Sequence, residues 1–156
     1  MEIKPIIDSS QAAWKVSQGI AKRKQEEFHL LLIDAKCQLM ARRKIFKGTL
    51  NYTVCHPRDI FREAIQANAF GIIIIHNHPS GDVTPSKEDR RIANNLIQTG
   101  KVVGIPVIDF LIVGKHLYWS LGEEDDTKNQ ETVPSGSNVP YCQTEPGTES
   151  QPVHLF

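Results

Sequence analysis

Ala69-Phe70-Gly71-Ile72-Ile73-Ile74-Ile75-His76-Asn77-His78-Pro79-Ser80-Gly81-Asp82-Val83-Thr84-Pro85-Ser86-Lys87-Glu88-Asp89 decides how this chain is built. The run from Ala69 to Ile75 is the longest apolar stretch and falls far short of the ~18 residues that cross a bilayer. It fits a buried strand, running from Phe70 to Ile75. Two histidines close it, two positions apart. Alternate residues of an extended chain project to the same side, so His76 and His78 can point to one place. Pro79, Gly81 and Pro85 then turn the chain back. Ser86-Lys87-Glu88-Asp89 has the capping-box pattern of a helix start, with Ser86 as the cap.

Working outward, helices and strands alternate or pair. Ser9 or Ser10 caps a first helix expected to reach about Lys24, with Ala12, Ala13, Val16 and Ile20 as its apolar stripe. Lys22-Arg23-Lys24 would sit in its last turn, where cations suit the helix dipole. Phe28 to Ile33 reads as a buried strand, Asp34-Ala35-Lys36 as a turn, and Leu39 to Phe46 as the hairpin partner. Pro57 opens a helix at a position where its missing N–H costs nothing, and Ile60, Phe61, Ala64 and Ile65 form its apolar face. The helix from Ser86 is expected to run to Thr99, with Gly100 as its C-cap. Val107 to Val113 and Leu117 to Ser120 are the last strands. The expected fold class is α/β: a mixed β-sheet with helices packed on its faces.

After Gly122 the composition shifts to Pro, Ser, Thr, Gln, Gly and acidic residues. Such a stretch cannot bury enough apolar surface to offset its ordering entropy. The chain therefore divides into a domain over 1–122 and a disordered acidic tail over 123–156. The formal charge of zero hides this division: residues 1–122 carry +6 and residues 123–156 carry −6. A +6 domain is not the footprint of a dedicated nucleic-acid binder, although it leaves room for a polyanionic partner. Cys37, Cys55 and Cys142 are odd in number and widely spaced. They read as three free thiols of a reducing compartment, and a cysteine-based zinc knuckle is excluded. The N-terminus lacks the pattern of a signal peptide, so a cytoplasmic location is expected, with no membrane association.

The chemistry gathers at the strand end. His76, His78 and Asp89 make three ligands, and three protein ligands leave one position for water, as in catalytic zinc sites. Bound water there has a pKa lowered to about 7. A zinc hydrolase also needs a proton shuttle, and Glu26 and Glu27, before the Phe28 strand, are the candidates. Ser86 could donate to an oxyanion. Singly, each feature has an ordinary explanation: a cap, a helix-start charge, a pair of satisfied histidines. Their combination after a buried strand does not. The literal tripeptide His-Asn-His is not read as a nuclease signature.

This pattern resembles a known family. His76, His78, Ser86 and Asp89 match the JAMM motif of the MPN (JAB-type) metalloproteases: His-x-His, seven residues, Ser, two residues, Asp. The run from His76 to Asp82, with Pro85-Ser86 and Asp89, is similar to the RadC branch. So are Gln25-Glu26 with Phe28, Phe46-Lys47-Gly48-Thr49-Leu50, His56-Pro57-Arg58 with Phe61-Arg62-Glu63-Ala64, and Ile105 to Val113. The resemblance covers about residues 5–121. It implies an MPN fold, one Zn2+ held by His76, His78 and Asp89, and Glu26 as the acid/base, chosen over Glu27 by its offset from Phe28. The branch usually has a histidine after the aspartate of its late strand, whereas Asp109 is followed here by Phe110. Longer members also carry an N-terminal helix-hairpin-helix region; this sequence shows none, so DNA binding by that route is not expected.

The function expected is a zinc-dependent metallohydrolase, a metalloprotease acting on a peptide or isopeptide bond of a protein or peptide substrate. The alternative from a different class is a DNA-repair-associated or mobile-element accessory protein that binds nucleic acid or a repair partner. A catalytically silent MPN interaction domain is disfavoured by the intact ligand set.

Overall fold

Every residue of Glu27–Ile33 and of Gly71–Asn77 is buried, and these two segments lie side by side at the centre of the sheet. The computed structural model describes residues 3–48, 55–124 and 141. In chain order its elements are α1 (Ser10–Val16), α2 (Gln18–Ala21), β1 (Glu27–Ile33), β2 (Leu39–Lys47), α3 (Pro57–Gln66), β3 (Gly71–Asn77), α4 (Lys87–Val103), β4 (Val107–Val113) and β5 (Tyr118–Ser120). The five strands form one sheet in the order β2-β1-β3-β4-β5. Only the β3–β4 pair is parallel. Parallel neighbours need a crossover, and α4 provides it.

Strand alternation splits the core in two. Phe28, Leu30, Leu32, Ile72, Ile74, Phe110 and Ile112 face α3 and α4. Leu31, Ile33, Ile73, Ile75, Leu111 and Val113 face the layer of Ala13 and Ile20, from α1 and α2. The mixed sheet with helices on both faces is therefore the architecture the sequence implied. No helix among the described residues is long and apolar enough to cross a membrane.

Several local expectations are corrected. The first helix does not run unbroken to Lys24. It is interrupted at Ser17, whose N–H turns back to the carbonyl of Trp14, and α2 ends at Ala21, leaving 22–26 as a loop. The second correction concerns Gly100, which lies inside α4 and is not its cap. A Cβ on Gly100 would come within 2.6 Å of the Ile105 carbonyl oxygen, so glycine is there to let the chain pass closely. Gly104 is the C-cap, in the left-handed region at φ 78°, where a side chain is disfavoured. Cys37 is disulfide-bonded, against the expectation of three free thiols. Cys55 is a free, buried thiol, pushed up to about 12 by burial, with Asp59 adding to the shift.

The stretch expected to be a disordered tail, 123–156, lies outside the described residues except for 123, 124 and 141, as do Thr49, Leu50 and Cys142. The three described positions make specific contacts. Glu123 and Glu124 close a helical turn, and Glu124 pairs with Arg90 at 3.0 Å. The Tyr141 hydroxyl donates to Asp109 at 2.5 Å. Asp109 is buried and also accepts from the hydroxyls of Ser10 and Ser120 and from the amides of Phe110 and Gly122.

The two glycines of α4 should respond differently to alanine. Gly100→Ala must displace the Ile105 backbone and is expected to cost about 1–3 kcal/mol. Gly104→Ala meets open space and pays only for its conformation, about 1 kcal/mol. Urea unfolding of both variants checks the order.

Candidate metal centre

His76 is the penultimate residue of β3, opposite Phe28 of β1, and its ring lies on the α4 side of the sheet. His78 follows one residue beyond the strand. Asp89 sits in the first turn of α4, buried. One ligand atom from each of His76, His78 and Asp89 lies within 4.8 Å of the others. The His78 Nε2–Asp89 Oδ2 distance is 3.2 Å and the His76 Nε2–Asp89 Oδ1 distance is 3.8 Å. The three residues singled out in the sequence therefore do converge.

Backbone groups fix how these side chains present themselves. His76 Nδ1 lies 3.2 Å from the Glu27 carbonyl oxygen, and His78 Nδ1 lies 2.7 Å from that of Asp82. A carbonyl can only accept, so each Nδ1 carries a hydrogen and each Nε2 faces Asp89, donating to it when the ring is protonated and offering a lone pair to a metal when the ring is neutral. Imidazole ligands are commonly oriented in this way. Asp89 is held by a capping box: the Ser86 amide donates to its Oδ2 at 2.7 Å, and its own amide donates to Ser86 Oγ at 3.0 Å. That bond uses the oxygen of the exposed Ser86 and leaves its O–H as a donor. Two imidazole nitrogens and a carboxylate oxygen, already oriented, suit a divalent metal with an open position.

The electrostatics follow from burial and proximity. Burial pushes the His76 imidazole below its ordinary value, against the opposing pull of Asp89. The hydrogen bond to Asp89 raises His78, outweighing burial. Burial alone would raise Asp89; the hydrogen bonds from His78 and the Ser86 amide outweigh it and hold the carboxyl below the usual range.

The two glutamates before β1 part company. Glu27 is buried on the α1–α2 side, where its carboxylate lies 2.8 Å from His29 Nε2 and 3.9 Å from Arg23 Nε. Glu26 is half-buried on the wall of a cleft of about 490 Å³, lined also by Lys24, Gln25, Lys47, Gly48 and Pro79. Its charge reaches both His76 and His78, favouring their protonated forms.

The family model of the RadC-like JAB domain matches residues 7–127. The chain belongs to the RadC-like JAB domain family. A UPF0758 protein of Clostridium tetani is 42% identical over 120 residues, covering 77% of this chain and 53% of that protein. A UPF0758 protein of Thermotoga maritima is 41% identical over 120 residues, covering 77% and 54%. One from Staphylococcus haemolyticus is 49% identical over 100 residues, covering 64% and 44%. The chain thus spans about half the length of these curated relatives.

Within this RadC-like JAB domain, the departure at Phe110 has a plain structural outcome. Phe110 is fully buried and meets Phe28 edge-on at 6.1 Å, while Phe28 lies 6.2 Å from His76. An apolar floor therefore underlies His76. Sequence reading passed over the carbonyls of Glu27 and Asp82, and it passed over Asn77. Only its place between two histidines could have drawn attention to Asn77.

The depressed Asp89 carboxyl gives a signed prediction for the metal-free protein. Its stabilising contribution is complete above the ordinary value of 3.8 and is lost as the pH falls through the lower folded value. Asp89→Asn is expected to destabilise the chelator-treated protein by about 1.5–3 kcal/mol near neutrality. The gap to wild type should close in acid. Urea unfolding at a series of pH values measures it.

Proposed function

We propose that this RadC-like JAB domain is a zinc-dependent metallohydrolase, cleaving a peptide or isopeptide bond in a protein or peptide substrate. One observation carries the reading. One ligand atom from each of His76, His78 and Asp89 lies within 4.8 Å of the others, and Glu26, on the wall of a cleft, reaches both histidines with its charge. Zinc bound by these three residues would supply Lewis acidity and a water with a pKa near 7.

The chain's own groups do the rest. Glu26 accepts a proton from the attacking water and hands it to the leaving amine as the C–N bond breaks. The Ser86 hydroxyl donates to the carbonyl oxygen as it gains negative charge. Lys24, Lys47 and Pro79 flank the approach, and the apolar floor of Phe28 and Phe110 excludes water from beneath His76.

Metal analysis of purified protein tests the site, and an unbiased peptide-cleavage screen tests the reaction. Wild type should carry one zinc per chain, and His78→Ala should lose it. Glu26→Gln should keep its zinc yet lower cleavage by roughly 10²–10⁴-fold. Wild type without stoichiometric zinc, or a Glu26→Gln variant as active as wild type, would overturn the proposal.

A further inference from the structure

Asn77 stands between the two histidines, is fully buried, and turns to the opposite face of the sheet. Its carboxamide reaches the loop that leads into β1. Oδ1 accepts from the Glu27 amide at 2.7 Å. Nδ2 donates to the Gln25 carbonyl at 3.1 Å and lies 3.4 Å from that of Arg23. The Gln25 carbonyl belongs to the peptide unit before the Glu26 Cα, and the Glu27 amide to the one after it. One side chain therefore grips both peptide planes that define the backbone dihedrals of Glu26. The second plane is held at its other end too, since the Gly48 amide donates to the Glu26 carbonyl at 2.9 Å.

We infer that Asn77 is a positioning residue for Glu26, fixing the backbone that aims this carboxylate at the space in front of His76 and His78. The inference rests on the proposed role of Glu26 and adds to it. A residue's carboxylate can be placed only as well as its own Cα–Cβ vector, and residues 22–26 lie outside any helix or strand. The carboxamide suits the task because it offers an acceptor and donors at once. Aspartate has the same shape but would turn an oxygen toward the carbonyls of Gln25 and Arg23. The chain thereby solves two problems with three consecutive residues. His76 and His78 face the metal position, and Asn77 between them turns to the other face and holds the backbone of the proton carrier in register with it.

The test uses the full chain loaded with zinc and acetohydroxamic acid as the probe, since a hydroxamate chelates the metal and gives a proton to a neighbouring carboxylate. Asn77→Ala and the isosteric Asn77→Asp are compared with Glu26→Gln and with Asn77→Ala/Glu26→Gln. Zinc affinity is read by chelator competition and backbone order by amide hydrogen exchange. Asn77→Ala should leave zinc affinity within about threefold while weakening acetohydroxamate about tenfold or more, as Glu26→Gln does. The double variant should bind no more weakly than Glu26→Gln alone, and the Glu27 amide should lose protection. Asn77→Asp supplies the same comparison if the alanine variant does not fold. Acetohydroxamate binding left intact by Asn77→Ala, losses that multiply in the double variant, or zinc affinity falling in step with the probe overturns the inference alone. A wild type that binds no zinc, or a Glu26→Gln variant that binds the probe as wild type does, overturns the hydrolase reading with it.

Discussion

The end of β3 is where this structure is most constrained, and the candidate site depends on that constraint. β3 is buried along its whole length between antiparallel β1 and parallel β4. A one-residue slip would exchange its two faces, placing His76 among the aliphatic side chains packed under α1 and α2. The four isoleucines could exchange faces at little cost, so the register is set at the strand's ends, by Gly71, which has no room for a Cβ against Ile108 and the Pro106 carbonyl, and by the polar partners of His76 and Asn77. The crossover to β4 then brings the start of α4, and with it Asp89, over the same strand end.

Much of what orients the site belongs to the backbone. The Glu27 backbone is used twice by the end of β3: its carbonyl faces His76 and its amide meets Asn77. Asp89 is half of a capping box for its helix and also one of the three groups that could hold a metal. Its charge is favoured both by the N-terminal end of α4 and by His78. Groups already engaged in local structure have little freedom left to lose, which is how a site is preorganised.

The parts legible in the sequence were those set by period and spacing. Apolar runs located β1 and β3, Pro57 located the start of α3, and the His-x-His to Asp89 spacing located three side chains that the fold brings together. What escaped was decided by contacts between distant segments. Gly100 and Gly104 look alike as helix stops, yet only the approach of the Ile105 carbonyl makes Gly100 an interior residue. The interruption at Ser17 breaks a stripe that reads as continuous. An odd number of cysteines left room for a bonded one, and Cys37 is bonded. Tyr141 lies in a stretch whose composition argues against burial, and its hydroxyl still finds a buried acceptor. Asn77 carries no signature of its own, because its partners lie about fifty positions earlier.

That buried acceptor, Asp109, has a consequence for how the molecule is bounded. The hydroxyls of Ser10, Ser120 and Tyr141 and the amides of Phe110 and Gly122 all point their hydrogens at one carboxylate. Donors from the first helix, from the last strand and from position 141 thus share a single fastening point on β4. Trimming the chain from either side would leave a buried carboxylate short of hydrogens, a costly state in an apolar interior. Replacing it with an amide would set an NH2 against donors. An excision that respects only helices and strands would remove the Tyr141 donor and leave that oxygen pair short of a hydrogen.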